Sequence, residues 1–288
     1  MLCLGILFVF FLRTVISHNC KELCTLQSIC DNLTVLKLEV AAIREEQKRQ
    51  AEILERLDKK FDSCMPPTSL YPASCAESSE SNLVIRVPKY SEEPFEVTCD
   101  QESHGGGWTM ITRRNDGSQN FFLEWMDYKK GFGKLNNEFF IGLDKLHAMT
   151  ASEPQELLVL LEDYEEEKRY QLYDNFSIGS EDNDYILEST GNSIGDAGDS
   201  LEYHLGMKFS TKDRQNDFWD TPSCAENFMA GWWYRSCHTS HIFGRYGKDK
   251  SGLGIIWNTF NKNNSTAAYM MKRAQMLIRP KRFSKLLG

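Results

Sequence analysis

Hydrophobic residues between Leu26 and Phe61 recur at alternating intervals of three and four residues. No Pro or Gly interrupts this segment, and strong helix formers fill the positions between. A 3.5-residue period is typical of a coiled coil rather than of a helix packed on a globule, so the pattern predicts a self-associating helix of about 54 Å. The eleven seam positions, nine of them apolar, are Leu26, Ile29, Leu33, Leu36, Val40, Ile43, Gln47, Gln50, Leu54, Leu57 and Phe61.

The residues of this seam predict the number of chains. With Leu26 at heptad position a, Leu predominates at a and Ile is frequent at d, a combination that disfavours dimers. We therefore expect a trimer or a tetramer. Gln47 and Gln50 lie together in the seam, where they either pair across chains and fix the register or mark local fraying.

The pattern changes beyond residue 70. Pro66 and Pro67 end the helix, and short strand-like runs follow, separated by Gly, Asn and Asp clusters. Examples are the runs at 83–87, 108–112 and 157–161. This arrangement predicts an α+β domain with antiparallel sheet.

An apolar run occupies the N-terminus from Met1 to Ile16. It is shorter than the roughly 20 residues that span a bilayer, and Val15 and Ser17 fit a cleavage site, so it predicts a signal peptide rather than a membrane anchor. Later apolar runs are short, so we expect a soluble, extracellular protein. The predicted organisation is a signal peptide at 1–17, a coiled-coil stem at 18–64, a linker at 65–70, a domain at 71–281 and a basic tail at 282–288.

Nine cysteines are present, and Cys3 falls in the signal peptide. The remaining even number favours disulfides in a secreted chain, whereas zinc-finger spacing is missing. Cysteines lie before or within the start of the predicted helix and just after its end, and they are candidates for interchain bridges, although an intrachain pair such as Cys20 with Cys24 stays open. These four are Cys20, Cys24, Cys30 and Cys64.

Composition and charge narrow the classes of partner. A net charge of −8 and a pI of about 5.4 argue against nucleic acid binding. The 12% aromatic content is concentrated after residue 90, as expected for a thin stem followed by a globular body.

Eight ordered segments between Tyr71 and Lys281 resemble the fibrinogen C-terminal domain. The resemblance implies an α+β globular domain with antiparallel sheets and short helices, here preceded by an α-helical coiled-coil stem. It also implies disulfides Cys75–Cys99 and Cys224–Cys237. The segments are EVTCD (96–100), GGGWTMITRRNDGSQNF (105–121), YKKGFGKLNNEFFIGLDKLHAMT (128–150), LLVLLEDYEEEKRYQLYDNFSIG (157–179), GDAGDSLEYHLGMKFSTKDRQND (195–217), CAENFMAGWWYRSCH (224–238), GIIWNTF (254–260) and MLIRP (276–280).

The same resemblance implies a calcium site, because hard cations bind carboxylate and carbonyl oxygens. Asp217 matches one side-chain ligand, whereas Gln215 stands where the family normally has Asp. Asp213 lies close enough in sequence to compensate electrostatically, and the backbone carbonyls of Trp219 and Thr221 would complete the protein ligands. A solvated turn without calcium is the alternative.

The resemblance further implies a pocket for an acetyl group at Ser236-Cys237-His238, where relatives have a cis peptide before the cysteine. Phe228 matches the aromatic wall, and Ser251 and Gly252 lie on the far side, where relatives often read Tyr-Ala-Asp-Gly. An aromatic and a carboxylate are thereby lost, which weakens acetyl binding and disfavours fibrin-like polymerisation. A fold element without a ligand is the alternative.

Two further sequence features bear on function. Where lectin-type members of the resembled family usually read Asn-Leu-Asn-Gly, this sequence has His241-Ile242-Phe243-Gly244, so Phe243 stands in place of a polar loop residue. We expect Phe243 to be exposed, which favours a protein-binding surface. The six histidines include no HExxH spacing, Ser236 lacks GxSxG, and the acidic run at 162–170 is interpreted as a solvated strand end or turn, so we expect no enzymatic activity.

These features together favour a secreted, oligomeric, lectin-like protein of innate immunity that binds acetylated glycans. The alternatives are an angiopoietin-like ligand for a cell-surface receptor and an extracellular-matrix component. Predicted N-glycosylation sites are Asn32, Asn175, Asn263 and Asn264.

Overall fold

The computed structural model describes residues 33, 35–57, 71–87, 93–248, 252–261 and 268–283. The chain divides into two compact units, Met1–Ser69 and Leu70–Gly288. The signal peptide, the linker, Asn32, Ser251, Asn263, Asn264 and the cysteines Cys20, Cys24, Cys30 and Cys64 lie outside the described residues, as does the tail beyond Phe283.

The first unit contains helix α1, residues 35–57. Seam residues along it are exposed, with Val40 at 46% and Leu54 at 67%. Apolar side chains off the seam, such as Leu38, are exposed as well. The helix agrees with the predicted stem, and its assembly into a coiled coil stays a prediction. In the described part of the chain, no helix is long and apolar enough to cross a membrane.

The second unit is built on an antiparallel sheet. In the described residues its main path runs β1-β2-β3-β12-β6-β7-β8, with β5 beside β3, β4 beside β5 and β9 beside β7, while β10 and β11 form a separate pair. The strands are β1 (Asn82–Ile85), β2 (Phe95–Asp100), β3 (Trp108–Arg114), β4 (Phe132–Gly133), β5 (Phe139–Phe140), β6 (Gln155–Asp163), β7 (Lys168–Ile178), β8 (Leu187–Ser189), β9 (Ser193–Gly195), β10 (Ser240–His241), β11 (Ile256–Trp257) and β12 (Met271–Pro280).

The central strands explain why the sequence forms this sheet. β6 reads QELLVLLED and is buried along almost its whole length, and it pairs with both β12 and β7. A strand covered on both faces is expected to be continuously apolar rather than alternating. The strand-like runs at 83–87, 108–112 and 157–161 overlap β1, β3 and β6, so the predicted α+β class with antiparallel sheet is confirmed.

Among the described residues of this unit, short α-helices lie beside the sheet at α2 (Trp125–Lys130), α3 (Leu143–Ser152) and α4 (Cys224–Asn227). Ser223 begins α4 with a capping box, because its hydroxyl accepts from the N–H of Glu226 while the Glu226 carboxylate accepts from the N–H of Ser223. The disulfides Cys75–Cys99 and Cys224–Cys237 are both formed, which confirms that pairing. The second bond joins the start of α4 to the segment that contains the candidate site.

Asn175 lies in β7 and is half-buried. Its side-chain nitrogen donates to the Ser189 hydroxyl at 2.9 Å, so the amide that would carry a glycan is already hydrogen-bonded within the sheet. Glycosylation there requires that bond to open.

Candidate ligand-binding site

The turn around Ser236 and Cys237 contains a cis peptide bond between these two residues, as the resemblance implied. The N–H of Arg235 donates to the carbonyl of Cys237 at 2.9 Å, which closes the turn. Because Cys237 is also bonded to Cys224, the turn is covalently attached to α4. Ser236 is exposed and Cys237 is buried.

His204 supports this turn from a distant part of the chain. Its Nε2 accepts from the N–H groups of Thr239 and Ser240, both at 3.2 Å, and its Nδ1 lies 2.6 Å from the Trp233 carbonyl. Two N–H groups facing Nε2 require that atom to be unprotonated, so Nδ1 carries the hydrogen and donates to Trp233. Burial lowers the pKa of His204 to about 3, which keeps the ring neutral.

His238 follows the turn and packs between two rings. Its ring lies 4.4 Å from the ring of Phe228, edge to face, and stacks on that of His241 at 4.9 Å. Both ring nitrogens are buried, and in the described residues neither has a partner of good hydrogen-bond geometry. The Gly252 backbone nevertheless lies close enough to raise the pKa of the ring. Burial lowers the pKa of His238 to about 4, so the ring is neutral at physiological pH.

Gly252 closes the other side of this cluster. A Cβ at that position would lie 3.2 Å from Cε1 of Phe228 and 3.8 Å from Cε1 of His238, and the backbone has φ +82. Glycine therefore allows the backbone to approach both rings. The structure thus brings together Phe228, Cys237, His238 and Gly252 of the predicted pocket.

The backbone of the turn offers hydrogen-bond donors. Within the described part of the chain, the N–H groups of Cys237 and His238 have no acceptor, whereas those of Thr239 and Ser240 donate to His204. Two adjacent donors on a fixed turn suit a single acceptor oxygen, such as the carbonyl oxygen of an acyl group. The neighbouring rings of Phe228 and His238 provide an apolar contact for the rest of such a group.

A cavity of about 500 Å³ is lined by residues of the 114–122 and 243–246 segments and by Met229, the residue after Phe228. Phe122 and Tyr246 supply aromatic surface there, and Asn120 and Arg245 supply polar groups. A smaller cavity of about 320 Å³ lies against β6, β7 and β12, beside His104 and Tyr170. The described residues of the predicted pocket are not among the residues that line either cavity.

The expectation that Phe243 is exposed is wrong. Its side chain is 1% exposed and packs against the rings of Phe121, Phe140 and Trp232. The position follows His241 and Ile242, both of which are buried, so the chain enters the aromatic core where the sequence suggested a loop. Phe243 therefore gives no support to a protein-binding surface.

Asp213 and Gln215, two residues of the predicted calcium site, hydrogen-bond to different partners. Asp213 Oδ1 accepts from the N–H of Trp125 at 2.9 Å and from the Thr211 hydroxyl at 2.7 Å. Gln215 donates to the carbonyls of Trp219 and Asp220, and Thr221 is followed by a cis proline. In the described residues no group of three or more His, Cys, Asp or Glu side chains is placed to hold a metal ion.

The acidic run at 162–170 forms the end of β6, a tight turn and the start of β7. Asp163 Oδ1 accepts from the N–H groups of Glu165 and Glu167, and Oδ2 accepts from the Tyr269 hydroxyl. Glu165 and Glu167 are exposed, whereas Asp163 is 2% exposed. The run therefore forms a strand end and turn, as predicted, with Asp163 buried beneath it.

Sequence reasoning missed His204, which has the largest supporting role at the turn. It stands alone in LEYHL, without a second histidine, cysteine or carboxylate at a recognisable spacing. Only the tertiary structure places it beside Thr239 and Ser240, 35 and 36 residues away.

Comparison with known proteins identifies several relatives of this chain. Ryncolin-4 of Cerberus rynchops is 40% identical over 229 residues, which cover 78% of this chain and 65% of Ryncolin-4. This chain spans about half the length of other curated relatives, such as Fibrinogen C domain-containing protein 1 of Xenopus tropicalis, which is 37% identical over 75% of this chain and 48% of that protein.

Two solved structures share this fold. The fibrinogen-like globe domain of human ANGPTL6 has a TM-score of 0.66 at 37% identity and covers 75% of this chain and 98% of its own. The lamprey fibrin D-dimer, solved with the peptide Gly-His-Arg-Pro-amide, has a TM-score of 0.65 at 27% identity and covers 93% of this chain and 94% of its own. Residues 73–281 match the family model named "Fibrinogen beta and gamma chains, C-terminal globular domain", and the chain belongs to that family.

Proposed function

We propose that this chain is a secreted, oligomeric recognition protein of innate immunity, without enzymatic activity, that binds acetylated glycans at the 236–238 turn. The observation that carries the proposal is the pair of N–H groups on Cys237 and His238, which have no acceptor among the described residues and lie close to the ring of Phe228. A bound acetyl group would place its carbonyl oxygen on these two donors and its methyl group against the ring.

A single site of this kind is weak. Two neutral hydrogen bonds contribute about 0.5–1.5 kcal/mol each, and one buried methyl group contributes about 0.8 kcal/mol. Part of this gain is lost when the ligand is immobilised. Useful affinity therefore requires several sites acting on one surface.

Helix α1 offers a way to bring several sites together. Its seam residues Leu36, Ile43 and Leu57 are 55%, 58% and 56% exposed in the single chain, so a large apolar surface is available for other copies. Linking sites through a trimeric or tetrameric stem raises the effective concentration of the second and third binding events. The proposed oligomer thus complements the weakness of the proposed site.

Binding of the intact protein to an acetylated surface tests this function. We expect it to bind N-acetylglucosamine-coated beads, to ignore glucosamine-coated beads and to be displaced by acetate or N-acetylglycine. Gly252→Ala should reduce binding at least tenfold, because its Cβ would approach Phe228 to 3.2 Å.

Gly206→Ala is the matched control for this substitution. Gly206 has φ +76, close to the +82 of Gly252, but a Cβ there meets no atom within 4 Å. Both substitutions therefore place a Cβ on a backbone with positive φ and should lower the free energy of unfolding by similar amounts, but only Gly252→Ala alters the site. Equal loss of binding in the two variants, or no binding of the intact protein to acetylated beads, would contradict the proposal.

A receptor ligand is a second candidate, because two adjacent aromatic side chains are exposed near the site. Phe218 is 68% exposed and Trp219 is 47% exposed. Exposed large aromatics are typical anchors of protein interfaces. The similarity to a human ANGPTL6 domain and to a fibrin that was solved with a peptide is compatible with a protein partner, whereas an extracellular-matrix role has no comparable feature.

A further inference from the structure

The loop from Gln215 to Cys224 is closed by its own side chains. Gln215 Nε2 donates to the carbonyl of Trp219 at 2.5 Å and to that of Asp220 at 3.0 Å. Asp217 Oδ1 accepts from the N–H of Trp219 at 3.0 Å and from that of Cys224 at 3.4 Å. The backbone of the loop thus receives one donor group and one acceptor group from residues within it.

The arrangement of donors determines whether a calcium ion suits this loop. Calcium takes six to eight oxygen ligands at about 2.3–2.6 Å, usually including several carboxylate oxygens. Asp217 Oδ2 is buried without a partner in the described residues and could contribute one ligand. The Gln215 amide, however, directs hydrogens at the carbonyls of Trp219 and Asp220, where calcium would need oxygens free to coordinate it.

Asp213 does not supply the missing charge. Its Oδ1 accepts from the Trp125 N–H and the Thr211 hydroxyl, which ties the carboxylate to the start of α2. Turning the Gln215 amide over would place its oxygen against two carbonyl oxygens, an arrangement that only a cation would stabilise. As arranged, these residues do not fit calcium.

We propose that the Gln215 carboxamide replaces a bound cation, so that the loop carrying Phe218 and Trp219 is ordered without calcium. The amide hydrogens attract the carbonyls of Trp219 and Asp220, as a cation would, and they require no dissociable ion. Because both bonds join residues four and five positions apart, they close the loop locally. Presentation of the exposed aromatic pair is then independent of extracellular calcium.

Hydrogen exchange of the full chain tests this role. In the native protein, exchange at residues 216–221 and the melting temperature should be the same in EDTA and in millimolar calcium. In Gln215→Glu, which retains the side-chain size but places a carboxylate against two carbonyls, exchange in EDTA should accelerate at least tenfold, since about two hydrogen bonds are lost. Millimolar calcium should then restore part of the protection.

Gln119→Glu is the matched control, because its side-chain nitrogen donates only to the carbonyl of its neighbour Asn120 among the described residues. This variant should leave exchange at 216–221 unchanged. Gln215→Ala removes the amide without adding charge, so it should also accelerate exchange, but without rescue by calcium. A native protein that calcium stabilises or protects, or unchanged exchange in both Gln215 variants, would overturn the proposal.

Discussion

The turn at 236–240 contains Cys237, the loop at 215–222 precedes its disulfide partner Cys224, and the two segments satisfy their polar groups in different ways. In the turn, the N–H groups of Thr239 and Ser240 donate to His204, 35 and 36 residues away. In the loop, the carbonyls of Trp219 and Asp220 accept from Gln215, four and five residues away. The turn therefore depends on a distant residue of the core. The loop combines the local bonds of Gln215 with a backbone bond to the turn, from the N–H of Phe218 to the carbonyl of Arg235 at 3.0 Å.

This difference also separates what the two segments can bind. His204 accepts from the N–H groups of Thr239 and Ser240, whereas those of Cys237 and His238 have no acceptor among the described residues, so the proposed ligand oxygen would bind there. Support from Gln215 uses the carbonyls of Trp219 and Asp220 and leaves the side chains of Phe218 and Trp219 exposed. We therefore expect the turn to bind a polar group of a ligand and the loop to bind an apolar surface of a partner.

Removal of the His204 side chain should have the largest effect on stability and on ligand binding at the turn. His204→Ala opens a cavity in a fully buried site and leaves the N–H groups of Thr239 and Ser240 and the carbonyl of Trp233 without their partner. We expect a loss of about 4 kcal/mol in the free energy of unfolding and loss of ligand binding. Urea denaturation followed by circular dichroism measures the stability change.

His147→Ala is the control for this substitution. His147 is half-buried in α3, and its Nδ1 makes a single bond with the Ile178 carbonyl at 2.9 Å. We expect a cost of only about 1 kcal/mol. Equal destabilisation by the two substitutions would show that the turn does not depend on His204.

Acidification should weaken the turn before it affects the loop. The pKa of His204 falls from 6.5 to about 3 on folding and that of His238 to about 4, both because burial disfavours the charged ring. The unfolded chain therefore binds more protons below pH 6.5, so these histidines leave stability unchanged above that pH and reduce it as the pH falls. Each contributes a loss of about 1.4 kcal/mol per pH unit between 6.5 and its folded pKa.

Calorimetry between pH 7.5 and 5.5 measures this dependence in a range above the ordinary pKa of carboxylates. His204→Gln should have a flatter profile than the native protein, because the substituted group does not titrate. A slope that is unchanged by the substitution would show that His204 is not the group responsible. Exchange at 216–221 should change less than exchange at 236–240 over the same range.

Truncation of Trp219 should have the smallest effect on stability. The side chain is 47% exposed, and the bonds that close the loop use its backbone N–H and carbonyl, which alanine retains. We expect Trp219→Ala to change the free energy of unfolding by less than about 0.5 kcal/mol. If the loop contacts a receptor, the same change should abolish binding to receptor-bearing cells.

Met126→Ala is the matched surface control, since Met126 is 50% exposed. It should affect neither stability nor cell binding. A drop in melting temperature for Trp219→Ala comparable to that for His204→Ala would mean that the loop is supported by its aromatic side chain. If Trp219→Ala still binds the cells, the hypothesis that the aromatic pair contacts the receptor is wrong.

Much of the fold followed from local patterns in the sequence. Short strand-like runs at 83–87, 108–112 and 157–161 predicted strands of an antiparallel sheet, and they overlap β1, β3 and β6. The resemblance to the fibrinogen C-terminal domain predicted both disulfides of the second unit and the cis peptide at Ser236-Cys237. The 3.5-residue period predicted a helix that the structure contains at 35–57, while its partner chains remain a prediction.

The sequence by itself determined the elements whose signals are local: the periods of helix and strand, and the Gln215 amide within reach of its own loop. Tertiary structure alone decided that Phe243 enters the aromatic core, that Asp213 is bonded to Trp125, 88 residues away, and that His204 supports the turn. Contacts over such separations leave no periodic signal, because they form only when the sheet brings distant segments together. The candidate site could therefore be located through the family resemblance of the sequence, but its supporting contacts could not.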